Sequence, residues 1–580
     1  MGLPCRCDPV PARRLRRLVR KKDKQAAAGN RSGFFVPEGD IQVHGFEEFN
    51  EEHRFGSGRF STRPEIEGAG LLYGEGLQHG FLDENPLGVE TDASTISICG
   101  AGSGKTRDLL GYVVCGRDPG PMLINDPRGE LAAISLHRLA PQGVHGYYFN
   151  PVGLAGLPQH SCNILDILRL DDPAFHTNCK FISDGLIPVP PSAKEPYFGM
   201  RAREWVTCLI KDLVEHDGKA SLPALYRTIN LIEGDGEAWA DRLERMLKSQ
   251  FPDVRRCASE ILNKQTDSPR EFGSVLGEIY AHTSFLADPA LCAALEGGDF
   301  SIGDLVRSDR TCRIHLNIPA EYMGVWSGVI KIFFIVAMLY KSRSPQARRV
   351  NLVIDECGQL GNFDAILRAV TFGRGAGIRC WTLWQDVGQI RRNLGESAIA
   401  SLIGSSQVRQ FFGVRDYETA KLVSDMLGQQ TLEYDDHRYQ EEARRYRLDV
   451  LRNAFGGADP FARAFEFHHY GEASARKSKQ TRYVRTPDEI LSMPEDKQIL
   501  FVSGMNLKPI NANKYAYFRR PEMAGKFLNN PYHGPSDRVQ VMSPYGPEWL
   551  RIIEAPVPDK YSHFPQFRSG LMRYVEHFPI

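Results

Sequence analysis

The stretch Cys99-Gly100-Ala101-Gly102-Ser103-Gly104-Lys105-Thr106 follows a short apolar segment, Thr95–Cys99, and precedes a segment with helical spacing that runs through Val113. A glycine-rich turn between a strand and a helix, closed by Lys-Thr, directs backbone N–H groups at phosphate oxygens, as in a P-loop. Cys99 stands where this pattern usually has its first glycine, but the three remaining glycines supply the flexibility that the turn needs.

Two side chains of this loop have predicted roles of their own. Lys105 would reach the β- and γ-phosphates of a nucleotide, and Thr106 would coordinate Mg²⁺. The predicted phosphate-binding residues are Gly100, Ala101, Gly102, Ser103, Gly104, Lys105 and Thr106. ATP and Mg²⁺ are therefore the predicted ligands.

A P-loop also needs an acidic site at the end of a neighbouring strand, and Asn351-Leu352-Val353-Ile354-Asp355-Glu356 supplies one. Asp355 is predicted to hold the Mg²⁺ shell, and Glu356 to orient or deprotonate the attacking water. A carboxylate in the second position suits water as the nucleophile. The sequence therefore predicts an ATPase rather than a kinase.

Short apolar strands alternate with helical patterns from Ser94 onward, which predicts βαβ units and a mostly parallel sheet in an α/β fold. The predicted strands are Thr95–Cys99, Met122–Asn125, Gly146–Phe149, Arg313–Ile318, Val350–Ile354, Ile378–Leu383, Val408–Gly413 and Gln498–Val502. Between Phe149 and Arg313 helical spacing replaces the strand pattern, so this interval is predicted to be a helical insertion.

Five parts of the chain follow from this pattern. Residues 1–93 are an N-terminal region with a basic segment and without a transmembrane helix. Residues 94–165 and 301–530 form the two parts of the nucleotide-binding domain, residues 166–300 the all-α insertion, and residues 531–580 a C-terminal tail. Within the second part, Tyr434–Gln480 is expected to be a long loop or a hairpin.

Composition excludes several classes of protein. The 580 residues are 42% hydrophobic and 24% charged, which rules out a wholly disordered chain, a collagen-like repeat and a membrane bundle. Lys+Arg and Asp+Glu are both 71, so any nucleic-acid site must be local. The 12 cysteines are scattered, without a C-x-x-C motif, which is typical of a reducing compartment.

Motifs in a fixed order resemble the type IV secretion coupling proteins, hexameric ATPases of bacterial conjugation of the TraG/TraD kind, related to FtsK- and HerA-type DNA pumps. The motifs that carry this resemblance are the P-loop, Asn125-Asp126-Pro127-Arg128-Gly129-Glu130, Phe149-Asn150-Pro151, Cys162-Asn163-Ile164-Leu165-Asp166, Asp355-Glu356-Cys357-Gly358, Thr371-Phe372-Gly373-Arg374-Gly375, Leu383-Trp384-Gln385-Asp386 and Thr486-Pro487-Asp488-Glu489-Ile490.

The resemblance implies a RecA-like nucleotide-binding domain with an inserted all-α domain. It implies that Arg374 acts as an arginine finger on the nucleotide of the next subunit and that Gln385 senses the γ-phosphate. The implied partners are single- or double-stranded DNA bound largely without regard to sequence, a relaxase or secreted protein substrate, components of the secretion channel and further copies of the chain, as a hexamer when active.

Typical members of that family carry two transmembrane helices ahead of the P-loop, and the sequence shows none. The basic run Arg13–Lys24 could lie on an anionic membrane surface, touch DNA or be a solvated tail. The expected location is the bacterial cytoplasm, peripheral at the cytoplasmic face of the inner membrane, with a separate membrane-anchoring subunit.

Three functions remain open at this point. The first is an ATP-driven coupling protein that delivers relaxase-bound DNA or a protein to a type IV secretion channel. The second is a soluble FtsK/HerA-type DNA translocase outside secretion, and the third is a nucleotide-binding docking platform. The ordered motifs favour the first function over the second. Glu356 and Arg374 favour the first over the third, because a passive platform needs neither residue.

Overall fold

The computed structural model describes residues 53–577 apart from gaps at 117–119, 137–138, 140–142, 190–194, 455–463, 470–476, 524–525, 534–537, 544–545 and 564–569. The basic run Arg13–Lys24 lies outside the described residues. In the part of the chain that is described, no helix is both long and apolar enough to cross a bilayer, and the ten cysteines are all free thiols.

The described chain contains sixteen strands: β1 Leu77–Leu82, β2 Asn85–Val89, β3 Ser94–Cys99, β4 Met122–Asn125, β5 Val144–Phe149, β6 Thr311–Leu316, β7 Val350–Ile354, β8 Ile378–Trp384, β9 Ser406–Phe412, β10 Gln429–Tyr434, β11 Ser478–Tyr483, β12 Lys497–Val502, β13 Ile510–Asn513, β14 Arg538–Ser543, β15 Gly546–Pro556 and β16 Leu571–Val575. Eleven of them form one sheet in the order β2-β1-β13-β12-β9-β3-β8-β7-β4-β6-β5.

The strands from β9 to β5 in this order are all parallel to their neighbours. The strands β12, β13, β1 and β2 extend the sheet on the other side with antiparallel pairings. Every residue of β3, β4, β6, β7 and β8 is buried, as expected for parallel strands that helices cover on both faces. The predicted α/β fold with a mostly parallel sheet is therefore confirmed.

Helices follow most of the parallel strands and fill the interval between β5 and β6. Outside that interval they are Arg63–Gly68, Gly111–Cys115, Glu130–Ser135, Ser327–Arg343, Asp364–Ala376, Val387–Leu394, Glu396–Ser405, Tyr417–Leu427, His437–Ala454 and Pro487–Leu491. Between β5 and β6 they are Phe175–Leu186, Pro196–Asp217, Leu222–Gly234, Gly236–Leu247, Pro252–Asp267, Pro269–Thr283 and Pro289–Glu296.

Local sequence signals start several helices of this all-helical interval. The side chain of Ser221 accepts a hydrogen bond from the backbone N–H of Ala224, and Asp235 caps the next helix in the same way. Proline stands in the first turn of the helices that begin at Pro252 and Pro269, where its missing N–H costs nothing. The helices then bury apolar faces in a core that continues into the sheet.

The structure differs from the sequence expectations at three places. β1 and β2 lie ahead of residue 94, yet they belong to the main sheet. The interval Tyr434–Gln480, expected as a long loop or a hairpin, joins the antiparallel strands β10 and β11 as a hairpin does, but it also contains the helix His437–Ala454. The C-terminal region, expected as a tail, contains an antiparallel sheet of β14, β15 and β16. Glycine and proline within β1, β2 and β15 obscure the alternation of a strand.

Phe81 of β1 provides a test of the unexpected strand. Its side chain is fully buried, with ring centroids 5.3 Å from Tyr112 and 5.1 Å from Tyr515. Replacing it with alanine should lower the free energy of unfolding by about 3–5 kcal/mol, measured by urea denaturation. Phe372→Ala, at a site 78% exposed, is the control and should change it by less than about 0.5 kcal/mol. Equal effects of the two substitutions would contradict the placement of β1.

Candidate functional site

A cavity of about 730 Å³ lies at the carboxyl ends of the parallel strands. Its walls include most of the site residues predicted from the sequence, namely Gly102, Ser103, Gly104, Lys105, Thr106, Asp355, Glu356 and Gln385. Gly100 and Ala101 belong to the same loop but do not line the cavity. Residues separated by about 280 positions in the sequence therefore meet in one site.

Strand order explains this convergence. β3 pairs in parallel with β8, and β8 pairs in parallel with β7. The P-loop follows β3, Gln385 follows β8 and Asp355 follows β7. Because parallel strands end at the same edge of a sheet, these three groups must lie next to one another.

The P-loop has the backbone geometry of a tight turn into a helix. Gly102 and Gly104 have φ angles of +71° and +89°, which side-chain-bearing residues rarely adopt. At Gly100 a Cβ atom would lie 2.1 Å from the carbonyl oxygen of Gly413, so only glycine fits there. Helical structure begins directly at Lys105.

The ammonium of Lys105 lies between two carboxylates. It is 3.1 Å from Asp355 Oδ1 and donates a hydrogen bond to Glu356 Oε1. The side chains of Lys105 and Asp355 are each 10% exposed. Burial lowers the pKa of Lys105, but the attraction of the two carboxylates outweighs burial, so its pKa is raised and the ammonium stays charged.

Glu356 has a strained backbone and a second partner. Its φ of +52° is unusual for a residue with a side chain and costs about 1–2 kcal/mol. The amide of Gln385 donates to Glu356 Oε2 over 2.9 Å. Strain of this kind accumulates where a site requires one orientation of a side chain. Here it fixes the Glu356 carboxylate between Lys105 and Gln385.

Asp126, directly after β4, is a third acidic residue of the cavity wall. Its carboxylate accepts hydrogen bonds from the backbone N–H of Ala132, at 2.8 Å, and from Asn317 Nδ2, at 3.2 Å. Burial raises the pKa of Asp126 to about 7, although backbone donors oppose the rise. Asp126 therefore titrates near neutral pH.

The donor set of the cavity fits a nucleotide with Mg²⁺. Among the described residues, no group of three or more His, Cys, Asp or Glu side chains is arranged to hold a metal ion by itself. Mg²⁺ ordinarily needs only one or two protein oxygens, with phosphate oxygens and water completing its shell. Thr106 and Asp355 carry oxygen atoms of this kind on the cavity wall.

Arg374 is the one predicted catalytic residue that the structure does not bring to this cavity. It is exposed in the last turn of the helix Asp364–Ala376, just before β8 begins. The seven residues of β8, at about 3.3 Å each, separate that position from the carboxyl edge by on the order of 20 Å. Arg374 cannot act on the nucleotide site of its own chain without a large movement.

Residues 80–534 match the family described as type IV secretory system conjugative DNA transfer. The chain belongs to this family. Relatives include the type IV secretion system-coupling protein VirD4 of Bartonella quintana, 24% identical over 452 residues, which are 76% of this chain and 65% of that protein. The conjugal transfer protein TraG of Agrobacterium fabrum is 23% identical over 370 residues, 63% of this chain and 51% of that protein. The chain thus spans between half and two thirds of the length of these relatives.

Solved structures of another coupling protein share the fold. The plasmid coupling protein TrwB in complex with ADP and Mg²⁺ superposes with a TM-score of 0.54 at 14% identity, over 79% of this chain and 94% of that chain. A truncated TrwB in complex with sulphate gives a TM-score of 0.55 at 15% identity, over 79% and 93% of the two chains. The family resemblance and the RecA-like fold with its all-α insertion are confirmed.

One wall of the cavity was not predicted from the sequence. It is formed by a segment that follows β13, and its lining residues are Tyr517, Phe518, Phe527, Leu528, Asn529, Asn530 and His533. Tyr517 packs its ring 5.0 Å from Phe527. The aromatic stretch Tyr515-Ala516-Tyr517-Phe518 is the local signal that could have indicated this wall. The last of the family motifs quoted above ends at Ile490, so none of them includes this segment.

The raised pKa of Asp126 predicts a pH effect on stability. The folded chain holds this proton up to about pH 7, whereas an unfolded aspartate releases it near its ordinary value of 3.8. The contribution of Asp126 to stability therefore falls as pH rises through this window, by at most about 1.4 kcal/mol per pH unit. In Asp126→Asn this dependence should be lost, as measured by denaturation at pH 4 to 8. Asp171→Asn, at an exposed position, is the control. Parallel pH profiles of wild type and Asp126→Asn would contradict the assignment.

Proposed function

We propose that this chain is an ATP-driven coupling protein, which recruits relaxase-bound DNA or a protein substrate and moves it to a type IV secretion channel during conjugation. The observation that supports this function best is the meeting of Lys105, Asp355, Glu356 and Gln385 at one cavity beside the P-loop. The family to which the chain belongs is described by conjugative DNA transfer. ATP hydrolysis at this cavity would supply the free energy for that transfer.

The motif residues of the cavity have separate proposed roles in ATP hydrolysis. The backbone of Gly102–Thr106 and the ammonium of Lys105 bind the phosphates. Thr106 and Asp355 would hold Mg²⁺, which neutralises charge on the transferred phosphoryl group. Glu356 accepts a proton from the attacking water, and Gln385, bonded to Glu356, orients that carboxylate beside the γ-phosphate.

Arg374 completes the site from a neighbouring subunit in this proposal. It is exposed in the chain described here and lies far from its own P-loop, as a group that acts on another copy must. A ring of identical chains brings the same surface of each subunit to the site of the next. We propose a hexamer as the active form.

The remaining partners follow from the family. We propose DNA bound largely without regard to sequence, a relaxase or secreted protein as cargo, channel components and a separate membrane-anchoring subunit. The chain would lie at the cytoplasmic face of the inner membrane. The basic run Arg13–Lys24 would add electrostatic attraction to anionic lipid, at about 1 kcal/mol for each charge near the surface.

Two substitutions separate nucleotide binding from hydrolysis. Lys105→Ala should abolish both, because the ammonium that neutralises the phosphates is gone. Glu356→Gln should bind ATP within about threefold of wild type and lose hydrolysis by about 10²–10⁴-fold, because the cradle survives without the base. Binding is measured with a fluorescent ATP analogue and hydrolysis by phosphate release.

Matched controls are Lys219→Ala and Glu321→Gln, both at exposed positions outside the cavity. Neither should change binding or hydrolysis. A Glu356→Gln protein that hydrolyses ATP at the wild-type rate would remove Glu356 from its role and would favour the docking platform over the motor.

The trans role of Arg374 predicts complementation between inactive variants. Arg374→Ala alone should lower ATP turnover by about 10³-fold. Mixing it with Lys105→Ala should restore activity, because about a quarter of the interfaces in a random ring pair an intact Lys105 with an intact Arg374. ATP turnover of the mixture, with DNA present, is compared with that of each variant alone.

Arg392→Ala, at another exposed helical position, should keep full activity and serves as the control. An Arg374→Ala protein with wild-type turnover would refute the finger. A mixture no more active than the sum of its parts would show that Arg374 does not act across an interface.

A further inference from the structure

Lys514 lies directly after β13, and its side chain is completely buried beneath the P-loop. Its ammonium donates a hydrogen bond to the carbonyl oxygen of Ser103, 2.7 Å away, and lies 3.4 Å from Asp108 Oδ2. The ring of Phe412, at the end of β9, is 4.2 Å from the ammonium. Lys514 contacts a backbone carbonyl of the loop and does not line the cavity, whereas Lys105 does.

Strand direction places Lys514 at this edge of the sheet. β12 runs antiparallel to β9 and also antiparallel to β13. β13 therefore runs in the same direction as β9 and β3, and its last residue lies at the edge where the P-loop begins. The antiparallel strands of the sheet thus contribute Lys514, which contacts the P-loop directly.

The contact with Ser103 sets the direction of an adjacent N–H group. The carbonyl of Ser103 and the N–H of Gly104 belong to one planar trans peptide, in which the two groups point in opposite directions. A donor that holds the carbonyl beneath the loop therefore turns the N–H of Gly104 upward, toward the cavity. This N–H immediately precedes Lys105 and is one of the donors available to a phosphate.

The charge of Lys514 is balanced within the same group of residues. Asp108 is buried, and it also accepts hydrogen bonds from Arg107 Nε, at 2.6 Å, and Arg107 Nη2, at 2.9 Å. Burial lowers the pKa of Lys514, and the Asp108 carboxylate opposes this effect. A buried ammonium is stable only where it is paired with an opposite charge and hydrogen-bonded. Here Asp108 supplies the opposite charge, and the carbonyl oxygen of Ser103 accepts the hydrogen bond.

We propose that Lys514 is a positioning residue of the phosphate cradle, which holds the Ser103–Gly104 peptide so that its N–H faces the nucleotide phosphates. The inference rests on the proposed function for the identity of the ligand. The position of the loop itself can be measured without any ligand.

Two measurements on the full chain test the proposal. Hydrogen–deuterium exchange of the peptide 100–110 reports the order of the loop without nucleotide, and titration with ADP reports phosphate binding. Lys514→Met, which keeps the length of the side chain and removes its donors, should speed exchange at this peptide by at least about tenfold. It should weaken ADP binding by about tenfold to a hundredfold, as expected for a lost charged hydrogen bond.

Two further variants distinguish positioning from general stability. Lys514→Arg keeps a charged donor and should keep ADP affinity within about threefold of wild type. Lys331→Met is the matched control, because Lys331 is also buried but lines a different cavity. It should leave both measurements at the P-loop unchanged. If Lys514→Met does not fold, as judged by circular dichroism, Lys514→Leu, which also lacks a donor, replaces it.

Unchanged exchange at 100–110 in the Lys514 variant would overturn the proposal, as would an equal change in Lys331→Met. Faster exchange with unchanged ADP affinity would also overturn it, because the loop would then not need Lys514 to bind phosphate. Failure of the wild-type chain to bind ADP would refute the proposed function, whereas the exchange result would still decide whether Lys514 holds the loop.

Discussion

Lys105 carries the positive charge that allows the carboxylates of Asp355 and Glu356 to lie side by side in the cavity. Removing one member of a buried ion pair typically costs about 3–5 kcal/mol, because the partner is left without compensation. Phosphates can therefore draw the ammonium away only if another cation reaches the carboxylates at the same time. This charge balance is a physical reason for nucleotide and Mg²⁺ to enter the cavity together.

The same balance links binding to catalysis. In the free chain, Lys105 donates a hydrogen bond to Glu356 Oε1. Under the proposed function, phosphates would take over the ammonium, and the Glu356 carboxylate would keep its hydrogen bond from Gln385 while it acts as the base. The strained backbone at Glu356 keeps the carboxylate in place through this exchange, since the side chain does not need to turn. Substrate binding would then release the carboxylate that the proposed function assigns as the base.

Local sequence patterns were sufficient to predict the parallel strands of the sheet and the motif residues that line the cavity. Val350–Ile354 and Ser94–Cys99 are fully buried parallel strands, so their apolar runs can be read without knowledge of their partners. β1 contains glycine and pairs with β13, which is distant in the sequence. β2 contains proline and glycine and pairs with the neighbouring β1, so neither strand shows the regular alternation that would reveal it. Lys105, Asp355 and Gln385 occur in short motifs, whereas Lys514 acquires its role only through a contact across 411 positions.

If Arg374 acts as proposed, its placement means that one chain does not supply every group that hydrolysis needs. The P-loop lies at the carboxyl ends of the strands, whereas Arg374 lies at the opposite edge of the sheet. One chain therefore cannot place its P-loop and its Arg374 at the same nucleotide. A head-to-tail ring resolves this separation, because it brings the carboxyl edge of one subunit to the surface of the next. Hydrolysis in such a ring depends on the relative position of two subunits. Each hydrolysis event can therefore report, and alter, the geometry of an interface, which is the property that a motor moving a polymer requires.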